Sequence, residues 1–129
     1  MELEPKRILL VEDDRDTLTV LRENLKRAGY QVVEAQSGEE GLVAFKRYKP
    51  DLVILDVALP GIDGWEVLRR IKAGPISRKT PVVMLTGKTD NADRIKGYEI
   101  GADFYMTKPY NVQKLLTVVR SIVREQKGS

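Results

Sequence analysis

Short apolar runs alternate with amphipathic stretches along the chain. RILLV (7–11) is followed by Leu18, Leu21, Leu25 and Ala28 at helical spacing, up to a stop at Gly29. QVVEA (31–35) precedes a second helical pattern over about 38–48, for which Ser37 is the predicted N-cap. DLVILD (51–56) is nearly all apolar and too short for a helix, so it reads as a strand buried on both faces. The loop VALPGIDG leads to a helix from Trp65 to about Ala73. PVVMLT (81–86) is a fourth strand, and a polar, weakly amphipathic segment over about 90–101 follows it. DFYMT (103–107) is the fifth strand. A final helix from Asn111 to about Lys127 carries the clearest stripe: Val112, Leu115, Leu116, Val119, Ile122 and Val123. Five strand–helix units in a row predict a parallel sheet between two layers of helices, because a parallel connection needs a crossover.

Composition narrows the class. The 129 residues suit one domain over 1–129, and no linker, repeat or low-complexity tract divides them. With 42% hydrophobic and 32% charged residues the chain reads as globular, and no apolar run approaches the roughly 20 residues of a membrane span. The opening MELEPKRILLV lacks the apolar stretch of a secretory signal, which predicts a cytoplasmic location. The absence of cysteine excludes thiolate chemistry and disulfides; the absence of histidine removes the commonest general base. A net charge of +3 is spread along the chain without the dense basic stripe and aromatics of a nucleic-acid surface, so no direct nucleic-acid contact is expected.

In an open parallel sheet, ligands bind beyond the carboxyl ends of the strands. The first strand ends in Glu12, Asp13 and Asp14, the third in Asp56 and the fourth in Thr86, while the fifth leads into Lys108. Close carboxylates need a cation to remain ionised. An all-oxygen set suits a hard ion, and few protein ligands suit Mg²⁺ better than Ca²⁺. A second reading of the triplet stands beside this one: negative charge at a helix N-terminus is favourable without any metal. Asp56 is either an acid satisfied by loop amides or a nucleophile that forms an acyl phosphate. Lys108 is either an ordinary loop lysine before Pro109 or an ammonium that bridges Asp56 and a phosphoryl oxygen. Thr86 is either a strand-end hydroxyl or a donor to that oxygen.

Taken together, EDD after the first strand, LD before PGIDG, a strand ending in threonine, and GADFYMTKP before the last helix resemble the response-regulator receiver domain of two-component signalling, over about residues 6–125. The resemblance implies a doubly wound (βα)5 fold with flavodoxin-like strand order 2-1-3-4-5 and helices on both faces. It implies that Asp56 is the phospho-acceptor and that Glu12, Asp13, Asp56 and the carbonyl of Ala58 hold Mg²⁺, with Mn²⁺ as the alternative ion. Lys108 matches the family lysine, Thr86 the switch hydroxyl and Tyr105 the switch aromatic, which is expected to turn inward when Thr86 moves toward the phosphoryl group. The implied donor is a phosphohistidine on a sensor histidine kinase or phosphotransfer protein. The output is an effector protein or domain bound by the face from the fourth strand to the last helix. The weakly anchored helix over about 90–101, with Ala92, Ile95 and Ile100 as its apolar positions and Gly97 inside it, is the expected moving part.

Some positions depart from the family pattern. Ala58 replaces a commonly larger residue and Lys88 lies two past Thr86; in the family these positions tune the acyl-phosphate lifetime. Phe104, Lys114 and Val118 break the charge set through which receivers of winged-helix transcription factors usually dimerise, so no symmetric dimer of that type is expected on phosphorylation, and the unphosphorylated chain is expected to be a monomer. The chain reads either as a stand-alone receiver or as the receiver part of a larger response regulator or hybrid kinase. Competing classes are a flavin binder, which EDDRDT would repel, and an aspartate phosphohydrolase, which lacks its second acid because position 58 is alanine. A pseudo-receiver that only binds partners is the remaining alternative.

Overall fold

The computed structural model describes residues 5–87 and 91–128, with backbone alone at 91–94, 97 and 125–128. Its strands are β1 (Arg7–Val11), β2 (Gln31–Ala35), β3 (Leu52–Asp56), β4 (Val82–Thr86) and β5 (Phe104–Thr107). The helices between and after them are α1 (Arg15–Arg27), α2 (Gly38–Tyr48), α3 (Gly64–Ala73), α4 (Asn91–Ile100) and α5 (Val112–Gly128). All strand pairings are parallel, in the order β2-β1-β3-β4-β5. The strand order therefore reverses between β1 and β3.

Period-two alternation divides the strand side chains between two cores. Leu9, Val11, Val53, Leu55, Val82, Met84 and Tyr105 face one way, against Ala44 of α2 and Trp65, Val67, Leu68 and Ile71 of α3. Ile8, Leu10, Leu52, Ile54, Val83, Leu85 and Met106 face the other, against Leu18, Leu21 and Leu25 of α1 and Leu115, Val119 and Val123 of α5. Both faces of β3 are covered, which explains its unbroken apolar run.

Caps and turns set the element boundaries. Asp14 Oδ2 accepts from Thr17 N at 3.0 Å and caps α1, and Ser37 and Asp63 cap α2 and α3 in the same way. Asn111 lies just outside α5, its Oδ1 accepting from Gln113 N at 2.7 Å. At the end of α1, Gly29 takes φ +101° and its N–H returns to Lys26 O, a conformation that favours glycine. The sequence pattern did not show a 3₁₀ turn at Ser77–Lys79. Asp51 and Asp103 also lie outside the strands to which the apolar runs assign them. Asp51 Oδ2 accepts from Arg7 N at 2.7 Å, and Asp103 Oδ2 from Val82 N at 2.8 Å and Lys72 Nζ at 3.0 Å. Each aspartate stitches the amino end of its strand to a neighbour.

One close approach ties α3 to the end of β3. A Cβ placed on Gly64 would lie 2.2 Å from the carbonyl oxygen of Asp56 and 2.7 Å from Val57 Cα. Only glycine allows the first turn of α3 to rest on this backbone. Gly64→Ala should therefore destabilise the fold by about 1–3 kcal/mol in urea unfolding. Gly87→Ala, with nothing within 4 Å of the added atom, should stay within about 0.5 kcal/mol of wild type. Equal midpoints for the two variants would refute the close-packing assignment.

Candidate functional site

The carboxyl ends of β1, β3, β4 and the segment after β5 converge on one rim. Asp56 ends β3 beside Leu85, and Thr86 ends β4 beside Thr107. Glu12 follows β1 and keeps the ladder going, its N–H bonded to Ala35 O at 3.0 Å. Glu12, Asp56 and Thr86 are the charged or polar residues buried at this rim, at 1%, 3% and 2% exposure, whereas Asp13 is exposed. One oxygen from each of Glu12, Asp13 and Asp56 lies within 4.8 Å of the others.

Lys108 reaches into this cluster. Its Nζ is 3.0 Å from Asp56 Oδ2 and 3.5 Å from Glu12 Oε1, and its backbone N–H donates to Thr86 O. The Lys108–Pro109 peptide bond is cis. Asp56 Oδ1 accepts from the N–H of Ala58 at 3.3 Å, and Glu12 Oε2 from Asp14 N at 3.1 Å. Asp14, capping α1, does not join the cluster. Lys88 and the side chain of Ala92 lie outside the described residues, and Gly97 is described by its backbone within α4.

The electrostatics show what this rim lacks. Burial pushes the Glu12 carboxyl up to about 7; the Asp14 N–H opposes the shift, the charge of Asp56 and a hydrogen bond to it reinforce it, and Lys108 offsets only part. Burial alone would lower the Lys108 ammonium, but its bond to Asp56 and the surrounding carboxylates outweigh that and hold it above the ordinary lysine value. Among the described residues a single ammonium thus serves the two buried acids, Glu12 and Asp56. The oxygen-only donor set and its uncompensated negative charge fit a hard divalent cation.

Tyr105, expected to turn inward on activation, is already inside at 6% exposure, stacked on Trp65 and beside Tyr98. Trp65 carries no site signal in the sequence, where it reads as the first apolar residue of α3. Glu39 was likewise not legible. Its Oε2 accepts from Ile62 N at 3.3 Å and braces the loop after Asp56 against α2. Ile95, read as an apolar anchor of α4, is 57% exposed, while Ile100 does pack against the core.

An α/β sheet in this order, with its polar groups flanking the β1–β3 reversal, is the flavodoxin-like class, whose ligands occupy that point. The family model of the response regulator receiver domain matches residues 8–120, and the chain belongs to that family of two-component signalling domains. It is 42% identical over 119 residues to the alkaline phosphatase synthesis transcriptional regulatory protein PhoP of Bacillus subtilis, covering 92% of this chain and 49% of the relative. The chain spans about half the length of the curated relatives it matches. Among solved structures, a CheY-like receiver domain protein from Methanospirillum hungatei superposes with a TM-score of 0.90 at 30% identity, covering 96% of this chain and 98% of that one. The Mn²⁺-bound form of response regulator Rcp1 superposes with a TM-score of 0.78 at 34% identity, covering 92% and 91%.

A folded-state carboxyl raised from 4.5 to about 7 binds more protons than the unfolded chain across that interval, so its contribution to stability declines as pH rises through it. Metal-free protein should melt at a lower temperature near pH 8 than near pH 5.5, and Glu12→Gln should flatten the difference. Added Mg²⁺ should raise the melting temperature more at the higher pH. An undiminished pH slope in Glu12→Gln would show that Glu12 is not its source.

Proposed function

We propose that this receiver accepts a phosphoryl group on Asp56 from the phosphohistidine of a sensor histidine kinase or phosphotransfer protein. The supporting observation is that a buried carboxylate at the end of β3 belongs to an acidic cluster and has an ammonium 3.0 Å away. Such a carboxylate is a nucleophile with its counter-charge already in place. In the transfer the P–N bond to imidazole breaks as a P–O bond to Asp56 forms, and negative charge spreads over the equatorial oxygens. Lys108 meets part of that charge, and Thr86, at the end of the adjacent strand, supplies a hydroxyl to another oxygen. Glu12, Asp13, Asp56 and the Ala58 carbonyl are the groups that would hold Mg²⁺ or Mn²⁺. When bound, the cation supplies charge neutralisation that three carboxylates and one lysine lack. The Mn²⁺-bound Rcp1 supports a divalent ion in a protein of this fold.

The product adds roughly −1.5 to −2 charge at the rim. Tyr105 is buried, and phosphorylation would act by favouring this inward placement, a shift of population. Thr86 and Tyr105 are the switch pair in this reading, and an effector protein or domain reads the face from β4 to α5.

Incubation with Mg²⁺ and acetyl phosphate should add the mass of one phosphate, and Asp56→Asn should abolish the gain. A folded wild type that gains nothing would sink the proposal. Lys108→Ala should slow uptake by about 10²-fold and leave the Tyr105 environment unchanged after phosphorylation; normal switching in that variant would remove Lys108 from the mechanism.

On the same face, Phe104 and Val118 are half-buried in the core and Lys114 is exposed, so apolar groups and one cation stand where paired charges would be needed. Light scattering with and without a phosphate mimic should show no symmetric dimer of the winged-helix type forming on activation. A stable activated dimer through this face would overturn that expectation.

A further inference from the structure

Trp65 and Tyr98, which join Tyr105 in an aromatic cluster, have no role in the phosphoryl-transfer reading. Trp65, the chain's single tryptophan, enters α3 one residue after Gly64, whose backbone rests on the Asp56 carbonyl. The indole is buried and stacks on Tyr105, with centroids 6.2 Å apart and planes inclined by 16°. Tyr105 in turn meets the Tyr98 ring at 6.4 Å and 48°. The Lys96 ammonium lies 5.5 Å from the Trp65 ring centroid. One side chain of α3 therefore touches β5 and α4 together. These separations fall within the ranges of aromatic pairing and cation–π attraction.

The placement matters because, among the described side chains, α4 has little else to hold it. Ile95 is exposed and Ile100 only partly buried, so among the described side chains the contacts through Lys96 and Tyr98 form a large share of its attachment. The other end of the link is stiff. Gly64 has no room to move toward Asp56 or Val57, so a displaced loop carries the first turn of α3 with it.

We propose that Trp65 is a positioning residue of the switch: through its stack on Tyr105 and its contact with Lys96 it ties the Asp56 loop to β5 and α4. Movement of the loop on phosphorylation then reaches that face through the indole as well as through Thr86. This rests on the assignment of Asp56 as phospho-acceptor. A tryptophan that merely filled space would lower stability when replaced and leave the phosphorylation-linked change at Tyr105 intact. A tryptophan that couples the elements would not.

The test uses the full chain labelled with 3-fluorotyrosine. The Tyr105 fluorine resonance, among five tyrosines, is assigned by its loss in Tyr105→Phe. Spectra with and without Mg²⁺ and acetyl phosphate are paired with intact-mass measurement of phosphate uptake. Wild type and Trp65→Phe should show a phosphorylation-linked shift, and Trp65→Leu should take up phosphate while losing more than half of it. A full shift in phosphorylated Trp65→Leu overturns the proposal. Lys96→Ala alters an exposed side chain and keeps the test open if Trp65→Leu does not fold; it should speed hydrogen exchange at amides 95–100 by about threefold, and unchanged exchange counts against the link. A wild type that gains no mass defeats the phospho-acceptor reading separately. The link is then decided on phosphate-free samples, where an unmoved Tyr105 resonance in Trp65→Leu and unchanged exchange in Lys96→Ala overturn it.

Discussion

A parallel sheet covered by helices on both faces leaves polar chemistry almost nowhere to go except the strand ends. That constraint shapes this molecule. The side chains of β3 and β4 are buried along their whole length, so the first positions able to carry function are Asp56 and Thr86. Even these remain nearly inaccessible, and their polar atoms must be satisfied within the rim. The result is a cluster of acids with one ammonium, held at short range because the strands hold it there. Burial is thus the source both of the fold's stability and of the excess of negative charge at the rim.

The two rims show how the same residue type acquires different work. Asp51 and Asp103 stand at amino ends, each accepting a backbone N–H from a neighbouring strand. Asp56 and Glu12 stand at carboxyl ends, where Asp13 joins them and both share the Lys108 ammonium. Chain direction decides which aspartate ties neighbouring strands and which joins the acidic cluster.

The strands and most helices were legible in the sequence because their signals are periodic and local. Unbroken apolar runs of five residues and an Asp or Ser before an amphipathic stretch need no tertiary context. The rim residues were legible as a set, since topology alone sends the ends of β1, β3 and β4 to one side. The strand order, the acid-pair roles and the importance of Tyr105 came from resemblance, because no local pattern encodes which strands are neighbours. Trp65 and Glu39 were invisible for a different reason. A tryptophan at the start of a helix looks like any core residue, and its partners lie about 30 and 40 positions away. Boundary errors at Asp51, Asp103 and Asn111 share one cause. Each side chain bonds to backbone just outside the element its neighbours define.

The Lys72 side chain has a consequence for how the molecule deforms. Its ammonium is fastened to Asp103 and to the carbonyls of Arg78 and Thr80, fixing the foot of β5 and the return from α3 together. With Asp51 and Asp103 also laced to adjacent strands, the amino-terminal edge behaves as a clamped base. The opposite edge carries ties of a different kind, Lys108 to Asp56 and Glu12 and Asp56 to the N–H of Ala58. A partner gripping the amino-terminal edge would therefore meet ties between strand backbones and not the acids of the opposite rim.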